Sequence, residues 1–198
     1  MPTHDWLERL AAHCETVTDH VVGGRTLNGL PANVYSTASQ VHVDYLYRYY
    51  NVNAGKARFF SSNNLAVPAS LFREVGGFDV SLRTGEDREF CDRWIHRGYR
   101  LVYNPEVVVY HAHALTFRTF WRQHYDYGRG AFRFRRAGAR RREQRMRLEP
   151  LAFYLNLLRY PLSHSCGVHA LSLAALLLVS QGATTAGFLR ERVNGSGR

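Results

Sequence analysis

Apolar positions recur along this chain with two alternating periods. Near the amino end Trp6, Leu10, Ala11 and Cys14 follow helical spacing behind Asp5 and Glu8, a pair that reads as a capping box, and they predict a helix from Asp5 to Cys14. Val21 and Val22, followed by Gly23-Gly24-Arg25, predict a short buried strand ending in a turn. Tyr35, Ala38, Val41, Tyr45, Leu46 and Tyr49 place an aromatic-rich face on a helix of about sixteen residues, broken by Asn51 to Gly55. That face either packs over a sheet or, through Tyr45, Tyr47, Tyr49 and Tyr50, offers a platform to a ligand.

Arg58 to Phe60 predict a strand leading into Ser61 to Asn64. After Pro68, the spacing of Leu71, Phe72 and Val75 gives a two-turn helix stopped by Gly76. Asp87 heads a helix whose apolar stripe is Phe90, Cys91, Trp94 and Ile95, and Gly98 ends it. Leu101 to Tyr103 and Val107 to Tyr110 read as two short strands split by Asn104-Pro105. Phe117, Phe120, Trp121, His124 and Tyr125 resume helical spacing up to Gly128. From Leu151 the chain turns apolar, and Cys166 to Leu189 carries no Asp, Glu, Lys or Arg.

Composition alters this picture mainly through charge. The 198 residues are 45% hydrophobic and 13% aromatic, a globular rather than a disordered balance. The formal charge of +10 is concentrated, since Arg129 to Arg147 holds nine arginines (129, 133, 135, 136, 140, 141, 142, 145 and 147) against the single acid Glu143. Such a block is a solvated face, a contact to an anionic membrane surface, or a nucleic-acid arm. The apolar stretch that follows favours the membrane and counts against nucleic acid, although Tyr127, Phe132 and Phe134 could stack on bases. Cys166 to Leu189 is long enough to cross a bilayer, but His169, Gln181, Gly182 and Gly187 dilute it, so spanning, interfacial and buried helices all remain open. Cys14, Cys91 and Cys166 have no metal-like spacing, and Met1 begins no signal peptide. Together these place the protein on the reducing, cytoplasmic face of a membrane.

Candidate chemistry centres on Gly85-Glu86-Asp87, two carboxylates ending a polar loop where a helix begins. Acidic pairs at helix starts are commonly caps, so the neighbours matter. Ser62-Asn63-Asn64-Leu65-Ala66 and Gly76-Gly77-Phe78-Asp79 precede the pair; Trp94, Gly98-Tyr99 and His111-Ala112-His113 follow it. In that order these elements resemble the acceptor-side half of family 2 glycosyltransferases, inverting enzymes that use nucleotide-sugar donors on a GT-A fold. The resemblance covers roughly residues 3 to 135.

The resemblance implies an α/β fold, a partial GT-A (Rossmann-like) sheet with flanking helices, followed by a helical, apolar carboxyl-terminal appendage. Together with the arginine block and the apolar stretch from Leu151, it divides the chain into residues 1–127 as the acceptor-side half, 128–150 as an arginine-rich connecting helix or arm, and 151–198 as an apolar helical, membrane-associated tail. Inverting transfer needs a base beside the acceptor hydroxyl, because an alcohol is a poor nucleophile. Asp87 matches that base, with Glu86 holding the loop or bonding substrate hydroxyls. Asn63 and Asn64 stand where the family contacts the donor sugar, although turn chemistry is the plainer account of both. His111 matches a histidine that in some members reaches the metal or the diphosphate, with a structural histidine as the alternative. Since only one of His111 and His113 can face a site if a strand continues through them, His111 is preferred.

The implied cofactor is a divalent cation, Mg²⁺ or Mn²⁺, and the implied partners are a nucleotide-sugar donor and a hydroxyl acceptor. In the family a nucleotide-binding half ending in Asp-x-Asp precedes the segment resembling Pro2 to Leu10. No Asp-x-Asp occurs in this sequence. The expectation is therefore a carboxyl-terminal, acceptor-side portion that lacks the nucleotide-binding half and needs a separate one for activity. The alternative is a non-catalytic module or relic that binds membrane surfaces.

Overall fold

Val21 and Val22, 0% and 2% exposed, sit in the middle strand of a three-stranded sheet. The computed structural model describes residues 1–14, 19–164 and 167–195. Its elements run α1 (Trp6–Cys14), β1 (His20–Asn28), α2 (Val34–Tyr50), β2 (Leu65–Ala66), α3 (Ala69–Val75), α4 (Glu86–His96), β3 (Arg100–His111), α5 (Phe117–Arg141), α6 (Leu151–His164) and α7 (Gly167–Gly195). β1 pairs parallel with β3 and antiparallel with β2. The result is the mixed α/β fold expected from the sequence, a small sheet with flanking helices and a long apolar carboxyl-terminal helix.

The chain divides into two compact units, each discontinuous in sequence. The first comprises Met1–Gly29, Leu46–Ser81 and Glu86–Ala112; the second comprises Leu30–Tyr45, Leu82–Gly85 and the described residues from His113 onward.

In the first unit Leu10 of α1 packs with Val22 and Val107, flanked by Trp6 and Ala66. The predicted strands come out differently. No turn forms at Gly23-Gly24-Arg25, because β1 continues through them to Asn28, paired with β3. Arg58 to Phe60 join no ladder, because the Asn51 side chain takes the bonds a neighbouring strand would have made. Its Oδ1 accepts the N–H groups of Arg58 and Phe59 at 3.0 and 3.2 Å, and its Nδ2 donates to the Phe59 carbonyl at 2.8 Å. The strands expected on either side of Asn104-Pro105 are one strand, β3. Its register against β1 slips between Gly24, opposite Asn104, and Arg25, opposite Val108. Pro105 has no N–H to give a ladder, so the strand bulges there instead of ending.

α4 buries Phe90, Cys91 and Trp94 completely, while Ile95, assigned to the same stripe by spacing, is 37% exposed. Arg93 ties this helix to the turn after α3. Its guanidinium meets buried Glu89 at 2.9 Å and donates to the carbonyls of Val75 and Gly77. Phe78 then packs on Phe90 with ring centroids 4.9 Å apart, so the Gly76 to Asp79 turn is a structural support for α4.

In the second unit α5 does not stop at Gly128 but continues to Arg141. The glycine serves close packing rather than termination. A Cβ at Gly128 would lie 1.9 Å from the Thr184 carbonyl oxygen, and one at Gly187 would lie 1.9 Å from that of Tyr125. α5 and α7 thus touch backbone to backbone. α7 buries Ala170, Leu173, Leu177, Ser180, Ala183, Gly187 and Glu191 at helical spacing. Part of the arginine block closes this pairing, since Arg129 and Arg133 both bond Glu191, at 2.9 and 2.7 Å, and Arg136 donates to the Gly195 carbonyl at 2.7 Å. Desolvation works against the Glu191 charge, but the two arginines outweigh it and hold the carboxyl below its ordinary pKa. Cys166 lies outside the described residues; Cys91 is a buried free thiol.

Candidate functional site

α4 starts at Glu86, so Asp87 occupies its first turn, where unpaired backbone N–H groups and the helix dipole favour a negative charge. The Oδ1 of Asp87 accepts the Arg88 N–H at 2.7 Å, and the backbone N–H of Ser62 donates to the same carboxylate. Although the residue as a whole is half-buried, its carboxyl is packed among protein atoms. That desolvation, reinforced by the neighbouring Glu86 charge, lifts its pKa to about 6 against the pull of the two amides and of Arg88. Asp87 is therefore ionised at neutral pH yet holds a proton more tightly than an ordinary aspartate. A group tuned that way suits proton abstraction from a hydroxyl.

The two asparagines have different surroundings. Asn64 is 1% exposed, its Nδ2 donates to the Arg25 and Val107 carbonyls at 2.9 Å each, and its Oδ1 accepts the Trp6 indole N–H at 2.9 Å. Gly24 makes room for it, as a Cβ there would come 2.5 Å from the Asn64 Nδ2. All of its bonding groups serve the fold. Asn63 is exposed, its Oδ1 accepts the Thr26 hydroxyl at 3.1 Å, and its amide N–H groups make no bond among the described residues.

His111 ends β3 opposite Asn28, and its backbone carbonyl accepts the Gly29 N–H at 2.8 Å. β1 and β3 run parallel, and Thr26, which holds Asn63, pairs with Val109 two residues before His111. Asn63 and His111 thus belong to the carboxyl-terminal end of the same strand pair, the end at which open α/β sheets bind ligands. Ser62 links this end to Asp87. The structure so connects Glu86, Asp87 and Asn63 through one short segment and places His111 at the same end of the sheet, while His113 falls beyond the strand.

No group of three His, Cys, Asp or Glu side chains that could hold a metal ion occurs among the described residues. Mg²⁺ and Mn²⁺ need several oxygen ligands, and one imidazole does not meet that need, so these residues do not by themselves fit a divalent cation. Sequence reasoning also missed the groups that build the site. Thr26, the Ser62 amide and Asn51 carry no motif, because each acts through a single bond to a residue far along the chain. The four-tyrosine platform does not form as an exposed surface: Tyr45, Tyr47 and Tyr50 are 6%, 7% and 8% exposed, and of the four only Tyr49, at 36%, reaches solvent.

Comparison with known proteins bears on this arrangement. The family model described as glycosyl transferase family group 2 matches residues 1–188. The pre-mycofactocin glycosyltransferase of Mycobacterium tuberculosis is 40% identical over 63 residues, 32% of this chain and 13% of that protein. The O-antigen chain rhamnosyltransferase RfbN of Salmonella typhimurium is 33% identical over 73 residues, 37% of this chain and 23% of that protein. The matched stretches thus span less than a quarter of these relatives. Among solved structures, the mannosyltransferase PcManGT from Pyrobaculum calidifontis, in complex with GDP-Man and Mn²⁺, superposes with a TM-score of 0.54 at 16% identity, over 96% of this chain and 58% of that one. At that identity the likeness is one of fold, and it agrees with the partial GT-A sheet.

Proposed function

Because the chain belongs to glycosyl transferase family group 2, we propose that it forms the acceptor side of an enzyme that moves a sugar from a nucleotide-sugar donor to an acceptor hydroxyl with inversion. Asp87 takes the hydroxyl proton as the acceptor oxygen bonds to the anomeric carbon. The bond from that carbon to the diphosphate breaks, and the nucleoside diphosphate leaves with its electron pair. The observation that carries this reading is the Asp87 carboxylate, fixed by the Ser62 and Arg88 amides and raised to about 6. Glu86 beside it sharpens its basicity, and the exposed amide of Asn63 is assigned to a sugar hydroxyl.

Donor binding and any divalent cation are assigned to a nucleotide-binding half carrying an Asp-x-Asp, on the same polypeptide or on a partner chain, with His111 at the strand end facing the diphosphate. The test is a transfer assay with a panel of nucleotide sugars and Mn²⁺, run with and without such a half, with the anomeric configuration of the product read by NMR. Transfer that needs the added half and collapses in Asp87→Asn supports the proposal. Transfer indifferent to Asp87, or a product of retained configuration, overturns it.

A cytoplasmic, membrane-bound location is proposed from the tail. α7 spans 29 residues with a mean hydropathy of 1.4 in its most apolar window. Opposite its buried face, Leu171, Leu178 and Leu189 are 62%, 57% and 51% exposed, and on α6 Leu151 and Leu162 are 72% and 50% exposed. An apolar face on a basic protein suits an anionic bilayer. The same feature favours the second reading, a non-catalytic membrane-surface module. Co-sedimentation with anionic vesicles tests the location, and a chain that binds vesicles but supports no transfer with any donor half favours that second reading.

A further inference from the structure

α2 carries a tyrosine that glycosyl transfer does not call on directly. Tyr47 is 7% exposed, with its ring edge-on to Phe59 and to Tyr103 at centroid distances of 5.7 Å. A phenylalanine would fill that space equally well, so the hydroxyl calls for a separate account. The phenol oxygen accepts the backbone N–H of Ser61 at 3.0 Å. The next amide along the chain, that of Ser62, goes to the Asp87 carboxylate, and the residue after it, Asn63, is bonded to Thr26. Two consecutive amides are thus taken by a phenol on α2 and a carboxylate on α4. Cys91, one turn beyond Asp87, donates from Sγ to the Phe60 carbonyl at 3.8 Å and holds the same segment from the α4 side.

Resting on the assignment of Asp87 as the base, we propose that Tyr47 is its positioning residue: the Tyr47 hydroxyl orients the Ser61 peptide so that the Ser62 amide meets the Asp87 carboxylate. Between the Ala57 N–H, which bonds the Leu101 carbonyl, and the 3-10 turn that starts at Ser62, the segment belongs to no ladder, and side chains accept the N–H groups of Arg58, Phe59 and Ser61. Asn51 fixes the first part and Tyr47 the last. Without the hydroxyl, the half-buried Ser61 N–H loses its acceptor and the peptide turns to find another. An amide bond to a carboxylate weakens steeply as its angle departs from linear. The ionised form of Asp87 then loses one of its supports, and its pKa rises.

The groups that face Asp87 are Glu86, Arg88 and Cys91 on α4 and Tyr47 on α2. Burial pushes the Tyr47 phenol far above its ordinary range, so it is neutral throughout, and Tyr47→Phe removes no charge. A changed Asp87 titration in that variant therefore reports the altered amide.

The experiment uses the full chain labelled with carboxyl-¹³C aspartate, with the Asp87 signal assigned through Asp87→Asn and followed by NMR against pH. In Tyr47→Phe the midpoint should rise by about one pH unit, and the Ser62 amide signal should stop tracking it. In the transfer assay kcat should fall about twofold at pH 7 and about tenfold well below the midpoint, as the acid limb moves up by about one pH unit, with the donor KM unchanged. Phe59→Leu keeps the hydroxyl but loosens the packing, so it should lower the melting temperature and leave the titration in place. An unmoved midpoint in Tyr47→Phe, or an equal displacement in Phe59→Leu, overturns the inference. If no donor yields transfer yet the midpoint moves as stated, the base assignment falls while the Tyr47 to Asp87 linkage stands. Should Tyr47→Phe fail to fold, the wild-type protein decides: the Ser62 amide must titrate with Asp87 and the Ser61 amide must resist hydrogen exchange, and failure of either overturns the linkage.

Discussion

The indole N–H of Trp6 on α1 donates to the Oδ1 of Asn64 at 2.9 Å, across fifty-eight residues of sequence. That bond completes the Asn64 side chain, whose amide already joins Arg25 of β1 to Val107 of β3. One side chain therefore stitches a helix and two strands, at the point where the β1–β3 register slips.

Adjacent asparagines should accordingly fail in different ways. Asn64→Ala leaves buried donors and acceptors unpaired, at about 1–3 kcal/mol for each group, and should lower the chemical-denaturation midpoint strongly. Asn63→Ala, at an exposed position with one bond to Thr26, should leave that midpoint nearly unchanged and lower transfer instead. Denaturation curves and transfer rates for the two variants together check the split.

Asp87 sets the acid limb of activity. With its pKa lifted to about 6, kcat/KM should fall as pH drops through that value, because protonation removes the base. Glu86→Gln removes a neighbouring negative charge, so it should move the limb to lower pH. Asp87→Asn should reduce kcat by about 10²–10⁴-fold across the range. Initial rates from pH 5 to 8 measure all three.

The α5–α7 contact tolerates no side chain at its glycines. Gly128→Ala and Gly187→Ala each force a methyl to within 1.9 Å of a backbone oxygen, and the helices must part at a cost of about 1–3 kcal/mol or more. Gly182→Ala, on α7 with nothing within 4 Å of the added carbon, should stabilise the protein by about 0.5–1 kcal/mol through helix propensity. Thermal melts of the three variants should therefore move in opposite directions.

His124 makes the second unit sensitive to acid. It is 1% exposed, its Nε2 lies 3.4 Å from the Ser39 hydroxyl, its ring stacks on His42 at 5.5 Å, and its Nδ1 has no partner among the described residues. Burial, then the neighbouring His42, depresses its pKa from 6.5 to about 3. The unfolded chain therefore binds a proton that the folded chain refuses. Stability from this site is complete above pH 6.5 and is lost as pH falls toward about 3, with a slope near 1.4 kcal/mol per pH unit. Denaturation midpoints between pH 7 and 4 should show that loss, and His124→Leu should flatten it.

By itself the sequence determined the element types wherever side chains pointed one way for a whole helix. Phe90, Cys91 and Trp94 placed α4 and set Asp87 in its first turn, Val21 and Val22 placed β1, and the uncharged stretch to Leu189 placed most of α7. The motif order around Glu86 and Asp87 likewise carried the family. Such features are legible because periodicity and short motifs are local, and burial of a repeated face needs no knowledge of its partner. What the tertiary structure decided depends on bonds between distant residues. Asn51 took the backbone groups of Arg58 and Phe59 and cancelled a strand that their side chains favoured. Pro105 became a bulge rather than a break because β1 lay alongside to carry the ladder past it. Gly128 proved a contact and not a stop because Thr184 approaches it from α7. Two neighbouring asparagines, alike in sequence, parted into a buried staple and an exposed amide because only one of them faces Trp6, Arg25 and Val107. In each case a polar group or a missing Cβ has several equally good local uses, and the fold chooses among them by what it brings within about 3 Å.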